Sequence, residues 1–139
     1  MISFVAHDLL DLATAAEAAY PNEACALLEG TVAEHGIIVS RIHLAQNVAA
    51  APATHFEVDP RLILRLHREL RDGPTQVVGV WHSHTNGRAQ PSATDLAMAF
   101  EPSLIWVITP IRNGVAKAAA AFQLRERPTF APVQVVTHA

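Results

Sequence analysis

The spacing of apolar residues changes between a helical and a strand period along the chain, and these changes define the predicted elements. Residues 8–19 carry apolar side chains at helical spacing, and this helix ends at Tyr20-Pro21. A second helix begins at Asp59-Pro60, because Asp is a good N-cap and Pro suits the first helical position. It ends at Gly73, and one face of it carries Leu62, Leu66 and Leu70.

Short runs rich in β-branched and aromatic residues predict the strands. A turn over residues 31–36 fits a hairpin, and residues 46–54 are predicted to be a loop. The run of alanines at 118–121 fits a strand or a helix equally well. The predicted strands cover residues 23–29, 36–44, 56–58, 76–81, 103–109, 115–124 and 132–137. Strands and helices mixed in this order predict a mixed α/β fold, and we expect residues 1–139 to form a single domain.

Composition limits the possible partners and the compartment. The chain has 139 residues, half of them apolar, and a formal net charge of −3. This charge offers no basic surface for nucleic acid or anionic lipid, and no apolar run approaches the roughly 20 residues of a membrane span. The first residues lack the cationic start of a signal peptide, and a lone cysteine suits a reducing compartment. We expect a cytoplasmic protein with no nucleic-acid or membrane partner, and a homodimer is compatible with the sequence.

The strongest chemical signal follows the apolar run at residues 76–81. His82 and His84 share one side of a strand, because successive strand side chains point to opposite faces. Asp95 adds a carboxylate eleven residues after His84. Two imidazoles and one carboxylate are the ligands that a catalytic zinc takes, with a fourth position left open. An alternative interpretation is a helix start in which Ser92 is the N-cap and Asp95 closes a capping box, and the two interpretations are partly compatible.

A second acid, Glu23, lies at the start of an apolar run that ends at Gly30. A carboxylate at the start of a buried strand is costly unless it meets water, a cation or a donor. Alone, Glu23 could be an exposed acid at a strand end, but beside the two histidines it fits a general base. Cys25 lies in the same run and is interpreted as a small buried hydrophobe rather than a nucleophile. A zinc nucleoside deaminase is excluded, since His-x-Glu and Pro-Cys-x-x-Cys are absent.

The order Glu, His-Ser-His, seven residues, Ser, two residues, Asp resembles the motif of the JAMM (MPN-plus) zinc metalloproteases. It is filled by Glu23, His82-Ser83-His84, Ser92 and Asp95. The stretches at residues 21–30 and 47–60 resemble the same family, so the likeness covers most of the chain. The chain is most similar to the short bacterial members that act on ubiquitin-like sulfur-carrier proteins, which also tend to have Thr after His-Ser-His, here Thr85.

The resemblance implies a curved mixed β-sheet flanked by helices, in a cytidine-deaminase-like arrangement. It implies that His82, His84 and Asp95 bind Zn²⁺, that Glu23 is the general base, and that Ser92 donates a hydrogen bond to the oxyanion. Ser83 points away from the histidines and is expected to support them by packing or hydrogen bonding.

The same resemblance implies a peptidase that cuts after the C-terminal Gly-Gly of a ubiquitin-like sulfur carrier and releases cysteine or a short tail. An open strand edge beside the metal would receive this tail by β-augmentation. The alternatives are a protease for ubiquitin conjugates or cell-wall peptides, and a binding module that recognises a ubiquitin-like partner without cutting it. Ala26 stands where the family has Gly and would narrow the channel beside Glu23, and His55 is a candidate substrate contact.

Overall fold

A computed structural model of the chain describes residues 1–98, 103–125 and 129–138, with the side chains of 96–98 left out. These ranges form a mixed α/β fold, as the sequence predicts. The elements, in chain order, are β1 (Ile2–Val5), α1 (Ala6–Ala19), β2 (Cys25–Ala33), β3 (Gly36–Ala45), α2 (Pro60–Glu69), β4 (Gln76–His84), α3 (Ala93–Met98), β5 (Ile105–Arg112), β6 (Val115–Ala116), β7 (Ala120–Leu124), β8 (Phe130–Val133) and β9 (Val135–His138).

The strands form one mixed sheet in the order β8-β7-β5-β4-β2-β3-β1-β9, and β6 pairs with β5. Strand β2 is antiparallel to both β3 and β4, whereas β4 is parallel to β5 and β1 is parallel to β3 and β9. Strand β4 is therefore central, with a hydrogen-bonded neighbour along each of its edges. This central position lets the end of β4 carry a buried site.

Side chains from the two faces of the sheet form two separate cores. One core contains Leu12 and Ala16 of α1, and the other contains Leu66 of α2, so the two helices cover opposite faces. Strand β4 contributes to both, since Trp81 packs on the α1 side and Val80 on the α2 side. Each fully buried large apolar side chain contributes about 1.5–3 kcal/mol to folding. The buried residues of the α2 side are Cys25, Leu27, Phe56, Val58, Leu66, Val80, Trp106 and Leu124.

Both long helices match the sequence prediction closely. Helix α1 begins two residues earlier than predicted and ends at Ala19 as expected. Helix α2 starts at Pro60, and the Asp59 carboxylate accepts a hydrogen bond of 2.9 Å from the Arg61 backbone N–H, which confirms the predicted N-cap. The predicted hairpin of β2 and β3 is also present, with its turn at residues 34 and 35.

Four strand predictions were wrong or incomplete. Strand β1 was missed, and residues 56–58 form no strand but a single bridge between Val58 and Asn47. The predicted strand 115–124 is two strands with irregular backbone between them, so the alanine run is neither one strand nor a helix. The predicted strand 132–137 divides into β8 and β9 at Gln134. Strands β1 and β9 pair with partners distant in the chain, which local patterns do not reveal, and the other errors concern segments too short to show a period.

Within the described residues, no helix combines the length and the apolar character that a membrane crossing requires.

Candidate active site

The end of β4 brings two imidazoles together on the α2 side of the sheet. The Nε2 atoms of His82 and His84 lie 2.9 Å apart. The Asp95 carboxylate completes the group, with Oδ1 at 3.1 Å from His82 Nε2 and Oδ2 at 2.9 Å from His84 Nε2. All three side chains are buried, and their ligand atoms lie within 4.8 Å of one another. The structure thus gathers into one cluster the three residues that were predicted as metal ligands.

The donor set of this cluster fits a divalent metal ion. His84 Nδ1 lies 2.9 Å from the Arg88 carbonyl oxygen, so Nδ1–H donates there and Nε2 faces the cluster. Burial is the largest single influence and opposes the charged form of His84, but the hydrogen bond and charge of Asp95, with smaller contributions from the Arg88 carbonyl and Glu23, together raise the pKa. Burial lowers the pKa of His82, which keeps that imidazole in the neutral form that metals bind. A bound divalent ion would take the place of the proton that His84 and Asp95 share.

Aromatic packing sets the orientation of the His82 ring. Phe56 stacks on this ring with centroids 4.3 Å apart and an interplanar angle of 17°, and the Trp106 ring meets it edge-on at 5.5 Å. His82 Nδ1 is buried and has no hydrogen-bond partner among the described residues. The two histidine rings are therefore oriented differently, that of His84 by a hydrogen bond to a backbone carbonyl and that of His82 by aromatic packing.

Asp95 and Ser92 form the predicted capping box, and their positions are also compatible with Asp95 as a metal ligand. The Ser92 backbone N–H donates to Asp95 Oδ2 at 2.8 Å, and the Asp95 N–H donates to Ser92 Oγ at 3.1 Å, which together form a capping box. Burial is the largest single influence and works against ionisation of Asp95, but hydrogen bonds with His82, His84 and the Ser92 N–H, together with the charge of His82, lower its pKa. Because Ser92 Oγ accepts in the box, its own O–H remains available to donate.

Glu23 lies two residues before β2 and is only 7% exposed. Burial raises the pKa of its carboxyl group to about 7, while the charge of His84 lowers the pKa and that of Asp95 raises it further. A carboxyl group with this pKa exchanges protons near neutral pH, which is the property that a general base needs.

The raised pKa of Glu23 makes a prediction for the metal-free protein. The unfolded chain ionises Glu23 near pH 4.5 and the folded chain near pH 7, so ionisation of the buried group destabilises the fold increasingly between these values. We expect metal-free Glu23→Gln to have a higher free energy of unfolding than wild type at about pH 8, by on the order of 1–3 kcal/mol, and no such gain at about pH 4. Urea titrations with a chelator present measure both values, and a gain independent of pH would contradict the assignment.

The remaining candidates fall outside the cluster. Ser83 faces the α1 side, as strand alternation predicts, and its Oγ accepts a 2.8 Å hydrogen bond from the Ala24 N–H. The expectation that Ala26 narrows the channel is wrong, because this side chain packs in the core on the α1 side. Cys25 is buried, and burial raises the pKa of its thiol to about 12, so it is no nucleophile. His55 is exposed, and its Nδ1 lies 2.8 Å from the Thr54 hydroxyl.

The expected open strand edge beside the site is absent from the described residues. Strand β4 pairs with β2 up to His82 and with β5 up to His84, so both of its edges are occupied. The irregular segments 46–58 and 85–91 lie beside the end of β4 instead, joined by a 2.9 Å hydrogen bond from the Thr85 hydroxyl to the Ala53 carbonyl. Asn47 and Phe56 were not predicted as site residues, because their contacts with Glu23 and His82 depend on the path of the loop.

Comparison with known proteins identifies the class. The chain matches the family of prokaryotic homologs of the JAB domain over residues 6–125, and it therefore belongs to this family. The family assignment confirms the resemblance to JAMM-type hydrolases that the motif indicated.

Two relatives narrow the comparison. The chain is 29% identical over 118 residues to the CysO-cysteine peptidase of Mycobacterium tuberculosis, a match that covers 84% of this chain and 79% of that protein. It is 32% identical over 88 residues to the Desampylase of Haloferax volcanii, which covers 63% of this chain. The chain spans 62% of the length of that relative.

Two solved structures share the fold. A solution structure of a Desulfitobacterium hafniense protein aligns with a TM-score of 0.85 at 28% identity, covering 99% of this chain and 93% of that one. A solution structure of a Salinibacter ruber protein aligns with a TM-score of 0.73 at 32% identity, covering 98% and 91%. The arrangement of sheet and helices in this chain is thus shared with solved structures.

Proposed function

We propose that the chain is a zinc-dependent peptidase, formed by residues 1–139 as one domain, that hydrolyses the amide bond after the C-terminal Gly-Gly of a ubiquitin-like sulfur-carrier protein. The observation that carries this proposal is the buried convergence of His82, His84 and Asp95 beside the carboxyl group of Glu23. The family supports the peptidase chemistry. The names of the two relatives, CysO-cysteine peptidase and Desampylase, support a ubiquitin-like substrate.

Each residue of the cluster has a defined task in this proposal. His82, His84 and Asp95 hold the zinc, which when bound polarises the substrate carbonyl and lowers the pKa of water to about 7. Glu23 accepts a proton from the attacking water on its carboxylate and then delivers it to the leaving amine. Its pKa of about 7 suits transfer in both directions, since neither protonation state is strongly favoured at neutral pH.

Among the described residues, the Ser92 hydroxyl donates no hydrogen bond, and Ser92 lies next to Asp95 of the cluster. Its Oγ already accepts from the Asp95 N–H, and this bond orients the hydroxyl group. A donor fixed in this way stabilises the negative charge that develops on the carbonyl oxygen during attack. Loss of one such donor typically costs about 3 kcal/mol of transition-state stabilisation.

Burial of the cluster supports a narrow substrate segment such as a Gly-Gly tail. His82 is fully buried, and His84, Asp95 and Glu23 are each at most 7% exposed. A folded protein surface cannot reach atoms at this depth, whereas a thin flexible tail can. Glycine has no side chain to collide with the walls and takes up extended or turned conformations with little strain.

The substrate is tested with a ubiquitin-like carrier that ends in Gly-Gly followed by cysteine or a short peptide. We expect intact-mass spectrometry to show a product that ends at the second glycine. Replacing that glycine by Val should abolish cutting, because the added side chain does not fit, while a different leaving residue should be tolerated. The same incubation with Glu23→Gln serves as the control.

Two results would contradict the proposed substrate or the proposed peptidase activity. A zinc-loaded protein that leaves the carrier intact but cuts a cell-wall peptide or a ubiquitin conjugate would assign another substrate. A protein that binds the carrier tightly and cuts none of these would be a binding module.

A further inference from the structure

The backbone on either side of the Glu23 side chain is held mainly from outside the sheet. The Glu23 N–H donates to the Pro52 carbonyl at 2.8 Å. The Glu23 carbonyl accepts from Asn47 Nδ2 at 2.8 Å, and the following Ala24 N–H donates to Ser83 Oγ at 2.8 Å. Both polar ends of the Glu23–Ala24 peptide group are therefore fixed by side chains from two other elements.

Asn47 uses its whole amide group in this arrangement. Besides the Glu23 carbonyl, Nδ2 donates to the His55 carbonyl at 3.0 Å. Oδ1 accepts from the N–H groups of Ala49 and Glu57, each at 3.0 Å. One side chain thus closes the loop formed by residues 46–58 and ties that loop to Glu23.

The same loop also reaches the metal cluster. Phe56, next to the groups that Asn47 holds, stacks on the His82 ring at 4.3 Å. The loop therefore contacts the base through Asn47 and a predicted metal ligand through Phe56. A shift of this loop would change the distance between Glu23 and His82.

We infer that Asn47 is a positioning residue for Glu23, and that together with Ser83 it fixes the Glu23–Ala24 peptide so that the carboxyl group faces His82, His84 and Asp95. This inference rests on the proposed role of Glu23 as the general base. Acid–base catalysis depends on hydrogen-bond geometry, and a displacement of about 1 Å costs up to roughly 100-fold in rate. Asn47 touches neither the metal ligands nor the reacting atoms, and it acts only through the backbone of Glu23.

The test is Asn47→Asp, which keeps an oxygen to accept from Ala49 and Glu57 but cannot donate to the Glu23 carbonyl. On the carrier fusion we expect kcat to fall by about 10- to 100-fold, with KM within about threefold of wild type and the zinc content unchanged. Thr85→Val is the matched control, because it removes a different anchor of the same loop, the bond to Ala53. We expect it to keep kcat within about threefold of wild type. An equal loss in both variants would overturn the specific role of Asn47.

A double-mutant cycle separates this inference from the proposed function. If Asn47 acts through Glu23, Asn47→Asp should cause no further loss of residual activity in the Glu23→Gln background. The same factor in both backgrounds would overturn the inference. Wild-type activity of Glu23→Gln alone would overturn the base role and the inference together, whereas an inactive Glu23→Gln beside a fully active Asn47→Asp would overturn the inference only.

Ser83→Ala is a second variant that tests the other end of the same peptide. It removes the acceptor for the Ala24 N–H and leaves the whole Asn47 network in place. We expect the same pattern, with reduced kcat, nearly constant KM and zinc retained. Wild-type kcat in this variant and in folded Asn47→Asp would overturn the proposal that the peptide group is fixed for catalysis.

Discussion

Replacing Glu23 by Gln is expected to lower kcat by about 100- to 10,000-fold, while the protein still binds one zinc per chain. Glutamine has nearly the same shape as glutamate but neither accepts nor delivers the proton. The proposed ligands His82, His84 and Asp95 are untouched, so the metal should remain. Single-turnover hydrolysis of the carrier fusion, together with metal analysis of the same sample, measures both quantities.

Glu29→Gln is the matched control for this experiment. Glu29 is also a carboxylate on the N-terminal half of the chain, within β2, but it binds His43 Nε2 at 2.8 Å and the Thr75 hydroxyl at 2.7 Å instead. We expect its replacement to affect stability and to leave turnover near that of wild type. Normal hydrolysis by Glu23→Gln would show that Glu23 is not the base, and loss of zinc from it would make Glu23 a ligand.

The second large effect is expected for His84→Ala, whose zinc content should fall well below one per chain. Three protein ligands are the usual minimum of a catalytic zinc site, so two rarely hold the ion against dilution. Removal of His84 also leaves Asp95 Oδ2 without the Nε2 atom that lies 2.9 Å away. Metal analysis after dialysis gives the stoichiometry, and zinc should raise the melting temperature of wild type but not of the variant.

His43→Ala is the control for the loss of a histidine. His43 also contacts a carboxylate at 2.8 Å, that of Glu29, but lies outside the cluster. The His43→Ala variant should therefore retain zinc at the wild-type level. Wild-type zinc content in His84→Ala as well would mean that the metal, if bound, is held elsewhere.

The ligand cluster could be predicted because its parts are close in the chain. Strand alternation places His82 and His84 on one face, and the capping box fixes Asp95 relative to Ser92, so both follow from local rules. Glu23 is different, because its approach to the cluster depends on the antiparallel pairing of β2 with β4. Residue chemistry and the family resemblance linked Glu23 to the histidines, but no local rule brings the two stretches together.

Features that depend on distant pairing could not be predicted in the same way. Strand β1 is too short to show a period, and it exists because β3 and β9 pair with it. The bonds of Asn47 and the stacking of Phe56 require the folded path of an irregular loop, on which apolar spacing carries no information. The prediction of an open strand edge beside the site was wrong for a related reason. The order of strands in a sheet is not visible in any one strand, so the sequence does not show that β4 has a neighbour on both sides.

Asp95 takes part both in the capping of α3 and in the proposed metal site. Its Oδ2 accepts the Ser92 N–H that starts α3, and the same atom faces His84 in the cluster. The first turn of α3 depends on this carboxylate, because Asp95 and Ser92 cap each other's backbone N–H groups there. By linkage, an ion bound by Asp95 would make fraying of α3 less favourable, and fraying would weaken ion binding by the same factor. The affinity for the ion would then depend on whether one helical turn is closed or open.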